Sequence, residues 1–167
     1  MSAEEVFSNV ASHIIEGVMV HDDLAQYYEF LASPKCSEMH ERHAKDEFCN
    51  YHKVCRHYMS THNQLLPNIR ATQREIIPEG WMRYTRDDVD LATKKQGVKN
   101  GLHMWWEWEN ETKQFLKDMM AELSDIEDRC VIRSLLDDVI EEEKCAHEKC
   151  LHFKAVDYNL GQFLDKI

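Results

Sequence analysis

Glycine and proline are scarce in this sequence, five and three among 167 residues, and two of the prolines, Pro67 and Pro78, fall in one stretch. The remainder is free to run as long uninterrupted helices, which predicts an all-α protein. No run of eighteen apolar residues occurs, and Met1-Ser2-Ala3-Glu4-Glu5 lacks the basic and apolar regions of an export signal. A membrane is therefore not expected as a partner, and a cytoplasmic location is. Basic residues are outnumbered, twenty against thirty-one acidic, and the formal net charge of -11 repels phosphate backbones. Nucleic acid is thereby an unexpected partner too. Paired Cys-x-x-Cys motifs are missing, and the six cysteines sit mostly within helical stretches, which predicts reduced thiols over a disulfide framework.

What the sequence does have is enough apolar residue, 43%, to bury one core, and ten histidines. Ser2-Ala3-Glu4-Glu5 reads as a capping box for helix one, whose stripe is Phe7, Val10, Ile14, Val18, His21, Ala25 and Tyr28. Ser33-Pro34 predicts an N-cap and first helical residue, so helix two returns antiparallel with Ala44, Phe48, Tyr51, Cys55 and Tyr58 on one face, fading near His62. An irregular crossover is expected over about 63–95, with Thr85-Arg86-Asp87-Asp88 as an early helix start. Helix three carries Val98, Leu102, Trp105, Glu109, Thr112, Leu116, Met119 and Leu123 inward. A second capping box, Ser124-Asp125-Ile126-Glu127, opens helix four, striped by Ile132, Leu136, Val139, Glu143, Ala146, Cys150 and Phe153. Residues 1–157 thus form one helical domain, with 158–167 as a short tail. Two tight hairpins joined by a link long enough to travel the length of the bundle predict an up-down-down-up four-helix bundle.

Each apolar stripe is interrupted by an ionisable residue: His21, Glu47, Glu109 and Glu143. His21 and Glu47 lie about thirteen residues from the first turn, roughly 20 Å, and Glu109 and Glu143 about seventeen from the second, roughly 25 Å. In helices of about 40 Å the two levels coincide. Three carboxylates and an imidazole in a dry layer repel one another and are costly to desolvate, unless one or two divalent ions turn that cost into binding. An oxygen-rich donor set favours iron or manganese, with zinc as an alternative. His147, one turn beyond Glu143, and Tyr51, one turn beyond Glu47, are candidates to complete the shell. The competing reading is a non-catalytic helical bundle in which these acids are hydrogen-bonded relics and the surface serves assembly.

The four helices, the long crossover and the segment His21-Asp22-Asp23-Leu24-Ala25-Gln26-Tyr27-Tyr28-Glu29-Phe30-Leu31-Ala32-Ser33 resemble the ferritin-like superfamily, in particular its rubrerythrin branch. In that family helices one and three each supply a glutamate and helices two and four each a Glu-x-x-His, together holding two iron or manganese ions. Glu47, Glu109 and Glu143 carry over. His21 stands in place of the first glutamate, and Asn50 and Ala146 stand where the family has histidines, His147 coming one position late. A single ion, an altered pair and a site lost from an inherited fold all remain open. The resemblance implies an oxidoreductase acting on oxygen or peroxide, or a metal-handling protein, with Tyr28 or Tyr51 near the metal. The rubredoxin module of rubrerythrins is missing, so an electron donor must be external.

Other patterns invite their own readings. Cys49, His52, Cys55 and His57 echo Cys145, His147, Cys150 and His152, a zinc-ligand pattern or a remnant of internal duplication; the simplest reading is small buried thiols and solvated outer imidazoles. His43-x-x-x-Glu47 and His152-x-x-x-x-Asp157 suggest a hemerythrin-like oxygen carrier, but the His-x-x-x-His which that family needs on helix three is missing. Trp105 belongs to the core, whereas Trp106 and Trp108 need a cover, either the crossover with Trp81 or a second subunit. A homodimer is the expectation that follows.

Overall fold

The computed structural model describes residues 1–70, 74, 76, 77 and 79–167. Among them all regular secondary structure is helical, as the composition implies. The long helices are α1 (Ala3–Phe30), α2 (Pro34–His62), α3 (Leu91–Glu122) and α4 (Ile126–Ala155), followed by a short α5 (Leu160–Leu164). Pro78, expected to interrupt the crossover, lies outside the described residues.

Helix starts follow side-chain chemistry. Ser2 and Glu5 form the capping box of α1, each bonding the other's backbone N–H. Pro34 takes the first position of α2. The cap of α4 is Asp125 rather than Ser124: its carboxylate accepts from the backbone N–H of Glu127 and Asp128. Thr85 and Asp88 do form a capping box, but it closes only a 3-10 turn, Arg86–Asp88. Asp90 then caps α3 through Thr93 N–H, so the crossover ends about five residues earlier than expected. The tail is not featureless, since α5 lays Phe163 against Phe153 with ring centroids 4.7 Å apart.

Two apolar clusters divide the core by height. One joins Phe7 and Val10 of α1 to Val54 and Tyr58 of α2, Leu116 of α3 and Ile132 of α4. The other joins Tyr28 and Leu31 to Cys36 and Met39, Leu102 and Trp105, and Ala146 and Phe153. The start of each helix thus meets the end of its hairpin partner, and the ionisable residues fall between the two clusters. At the first end Asp128, 1% exposed, is held by His57 at 2.7 Å and His62 at 3.0 Å, tying the end of α2 to the start of α4.

The seam between α1 and α3 needs glycine. A Cβ on Gly101 would lie 2.5 Å from Tyr28 Oη, and one on Gly97 2.7 Å from Leu31 Cδ1. Tyr27 Oη donates to Gly97 carbonyl at 2.9 Å in the space so opened. The crossover is fastened to α1 by Ser8 Oγ donating to the Pro67 carbonyl and by Arg70 N–H donating to Ser12 Oγ. Arg74 lies 5.4 Å above the Trp108 ring, and His13 stacks on the same ring at 4.7 Å. Trp108, 4% exposed, is therefore covered within the chain, and only Trp106 still bears on the argument for a second subunit.

Candidate metal centre

The observed inner face of α2 runs Cys36, His40, His43, Glu47, Val54 and Tyr58, a repeat of three and four residues. The face expected from Phe48 and Cys55 is rotated away from it: Phe48 is 47% exposed, whereas Val54 is fully buried. This rotation puts two imidazoles the sequence reading had left out of the metal layer, His40 and His43, beside Glu47. The three-and-four spacing from Cys36 through Glu47 was the signal that would have found them.

His21 on α1 is completely buried and makes three contacts that organise the centre. Its Nδ1 lies 3.2 Å from His40 Nδ1, so one ring N–H donates to the other nitrogen. Its Nε2 lies 3.3 Å from Glu109 Oε1. Its ring also stacks on His43, centroids 5.2 Å apart. Glu109, buried on α3, accepts from Trp105 Nε1 at 3.0 Å. The fourth helix contributes Glu142, whose Oε2 stands 3.3 Å from His43 Nδ1 and whose charge acts on Glu109. Among the described residues, His21, Glu47 and Glu142 are the group whose ligand atoms all lie within 4.8 Å of one another.

Three expected residues, His21, Glu47 and Glu109, are thus brought together, and two are not. Glu143 turns toward α3, accepting from Trp106 Nε1 at 2.8 Å and pairing with Lys113 Nζ at 3.2 Å. His147 stacks on the Trp106 ring at 4.7 Å. Tyr51 points away to Cys55 and the ring of His52. Tyr28 does reach the centre, stacked on His40 at 5.4 Å with its hydroxyl unpartnered. Neither Cys/His cluster assembles a site: Cys49 and Cys145 are exposed, and His57 is engaged by Asp128. His152 lies against Phe163, outside the centre, so the pattern with Asp157 brings no ligand.

Burial dominates the electrostatics. It keeps His21 neutral, its pKa lowered to about 3, with the charge of His43 adding to the effect. His40 is likewise depressed well below the usual imidazole range, by burial first and then by its imidazole neighbours His21 and His43. Glu47 is raised well above the carboxylate range by burial and then by the charges of Glu142 and Glu109. Burial and Glu142 likewise raise Glu109, so Glu109 holds the proton of that pair. Burial opposes ionisation of Glu142 as well, but the facing imidazole of His43, 3.3 Å away, more than offsets it and lowers its pKa. His43 is correspondingly raised, burial being outweighed by Glu142.

The polar atoms of this layer are incompletely satisfied. His21 Nε2, His40 Nε2, His43 Nδ1, Glu109 Oε2 and Glu142 Oε2 are buried without a hydrogen-bond partner, although His43 Nδ1 faces Glu142 Oε2 at 3.3 Å. Each has a lone pair available in one protonation state, and together they form a mixed nitrogen and oxygen donor set that suits a divalent transition ion. A scan against protein-family models matches no family, and no curated protein matches the sequence significantly.

Proposed function

We propose that this chain is a ferritin-like metal-binding protein whose centre is built from His21, Glu47 and Glu142, with His43 and Glu109 in reach of a second ion and His40 behind His21. The observation that carries the reading is the convergence of buried, unpartnered imidazole and carboxylate atoms from four separate helices on one layer. An unfilled layer of this kind leaves several desolvation costs unmet, and a cation removes them together. The pairing of α1 with α2 and of α3 with α4, on either side of a long crossover, supports the up-down-down-up arrangement of that superfamily.

His43 joins His21 in the layer and His40 supports it from behind, a mixed nitrogen and oxygen set that favours iron over manganese, with zinc as competitor. Iron held there would supply one-electron redox chemistry toward oxygen or peroxide. The chain's own part is to exclude water through the two apolar clusters, to keep His21 neutral for ligation, and to hold a proton on Glu109 that leaves when the carboxylate is needed. Electrons would come from an external donor. The cytoplasm is the compartment we assign, in keeping with six free cysteines.

The alternative, a scaffold with a relic site, draws on the partial self-satisfaction of the layer through the Trp105–Glu109 hydrogen bond and the His43–Glu142 contact. Metal analysis separates the two. Protein titrated without oxygen with iron(II), and separately with manganese(II) and zinc(II), should bind at least one equivalent of one ion and melt higher. The double variant Glu47→Gln/Glu142→Gln should lose both effects. No bound ion and no thermal shift with any of the three would defeat the metal reading and leave the scaffold.

A further inference from the structure

Away from the metal layer, a cleft of about 360 Å³ opens between the N-terminal half of α3 and the last turns of α4, within the size range of small-molecule sites. Its walls are apolar and aromatic: Leu102, Trp106, Leu151, Phe153 and Tyr158. Its polar lining is basic, with Lys99, His103, His147 and Lys154, and no carboxylate lines it. That is unexpected on a chain of net charge -11, where a surface cleft drawn at random would be acidic.

The aromatic wall is preorganised. Trp106 is fixed by donating from Nε1 to Glu143 at 2.8 Å, and His147 lies parallel to its ring, interplanar angle 10°. Lys99 Nζ stands 4.4 Å from the Tyr158 ring centroid, its charge directed at a π face and not at an acid. Neither Lys99 nor Lys154 forms an ion pair among the described residues, whereas His103 Nε2 is engaged by Glu107 Oε1 at 3.0 Å. Two free ammonium groups at the mouth and a rigid indole and imidazole pair inside select for a flat ring bearing a negative group.

We infer that this cleft binds a small planar aromatic anion, the ring held against the Trp106 and His147 wall and the charge between Lys99 and Lys154. The inference stands on the cleft alone and does not require the metal centre.

Two probes of equal shape test it, 2-naphthoate and the uncharged 2-naphthamide, titrated calorimetrically into the full chain. Naphthoate should bind at one site at least tenfold tighter than naphthamide at about 20 mM ionic strength, and the advantage should shrink at about 0.5 M, as expected of partly exposed charges. Lys99→Gln/Lys154→Gln should bring the two affinities together. Leu151→Trp, which fills the cleft from a position 53% exposed, should abolish binding of both without changing the melting temperature. Equal affinity for the two probes, absence of saturable binding, or binding indifferent to Leu151→Trp would overturn the assignment. So would light scattering that shows a dimer disrupted by Leu151→Trp, since a second copy would then be the occupant.

Discussion

At the scale of single residues, the choice between Glu142 and Glu143 shows what a helical pattern can and cannot resolve. Both lie within one turn of Val139 and of Ala146, and at 100° per residue they flank the axis of the α4 stripe by roughly 50° on opposite sides. One must face α2 and the other α3. Glu142 takes the metal layer and Glu143 the Trp106 indole, a partition set by how α4 is rotated against its neighbours. The raised pKa of Glu109 has a consequence for stability. A carboxyl whose folded pKa lies above its unfolded value stabilises the fold below the unfolded pKa, and that stability is lost as pH rises toward the folded one. Glu109→Gln removes this dependence, so in metal-free protein the variant should gain stability relative to the parent as pH rises above the ordinary carboxylate range, by up to about 1.4 kcal/mol per pH unit. Urea denaturation at three pH values checks this, and a constant difference would show that Glu109 does not hold the proton. Metal affinity should rise over the same interval, because the ion competes with the protons on Glu47 and Glu109.

Among elements, the inner face of α3 was legible although its start was not, since all eight expected inward positions are buried, Glu109 included. Its stripe is mostly large apolar residues, and their burial outweighs any other use of that face. Helix α2 was misread because its true inner face carries two histidines and a glutamate, while Phe48 and Cys55 made the neighbouring face look apolar. Polar residues packed inward for a site leave no hydrophobic signature. The α1/α3 seam predicts that Gly101→Ala destabilises the protein by about 1–3 kcal/mol through crowding of Tyr28, more than the roughly 1 kcal/mol of added helix propensity returns. Thermal or urea unfolding measures it, and a stabilised variant would mean that Tyr28 moves freely. At the opposite end, Asp128→Ala leaves His57 and His62 without their shared acceptor. The expected loss is about 1–3 kcal/mol, read by the same unfolding experiment.

For the molecule as a whole, the proposed centre draws its donors from four helices, so a bound ion would fasten both hairpins at once. At an ion concentration about 100 times the dissociation constant the fold should gain about 2.7 kcal/mol, a rise of roughly 5–10 °C in melting temperature for a chain of this size. Chelator should reverse the rise, and a shift confined to one spectroscopic probe would show that only one hairpin is engaged. The sequence alone determined the helical class, the two hairpins and their approximate limits, because scarce glycine and proline, capping residues and apolar periodicity act locally. It also determined that acids and a histidine sit at one height, since helical rise converts residue number into depth. Which face of α2 turns inward, whether Glu142 or Glu143 enters the layer, and how Trp108 is covered were decided only by tertiary packing. Those outcomes depend on the rotation of one helix against another, a quantity to which every residue of both helices contributes and which no local segment encodes.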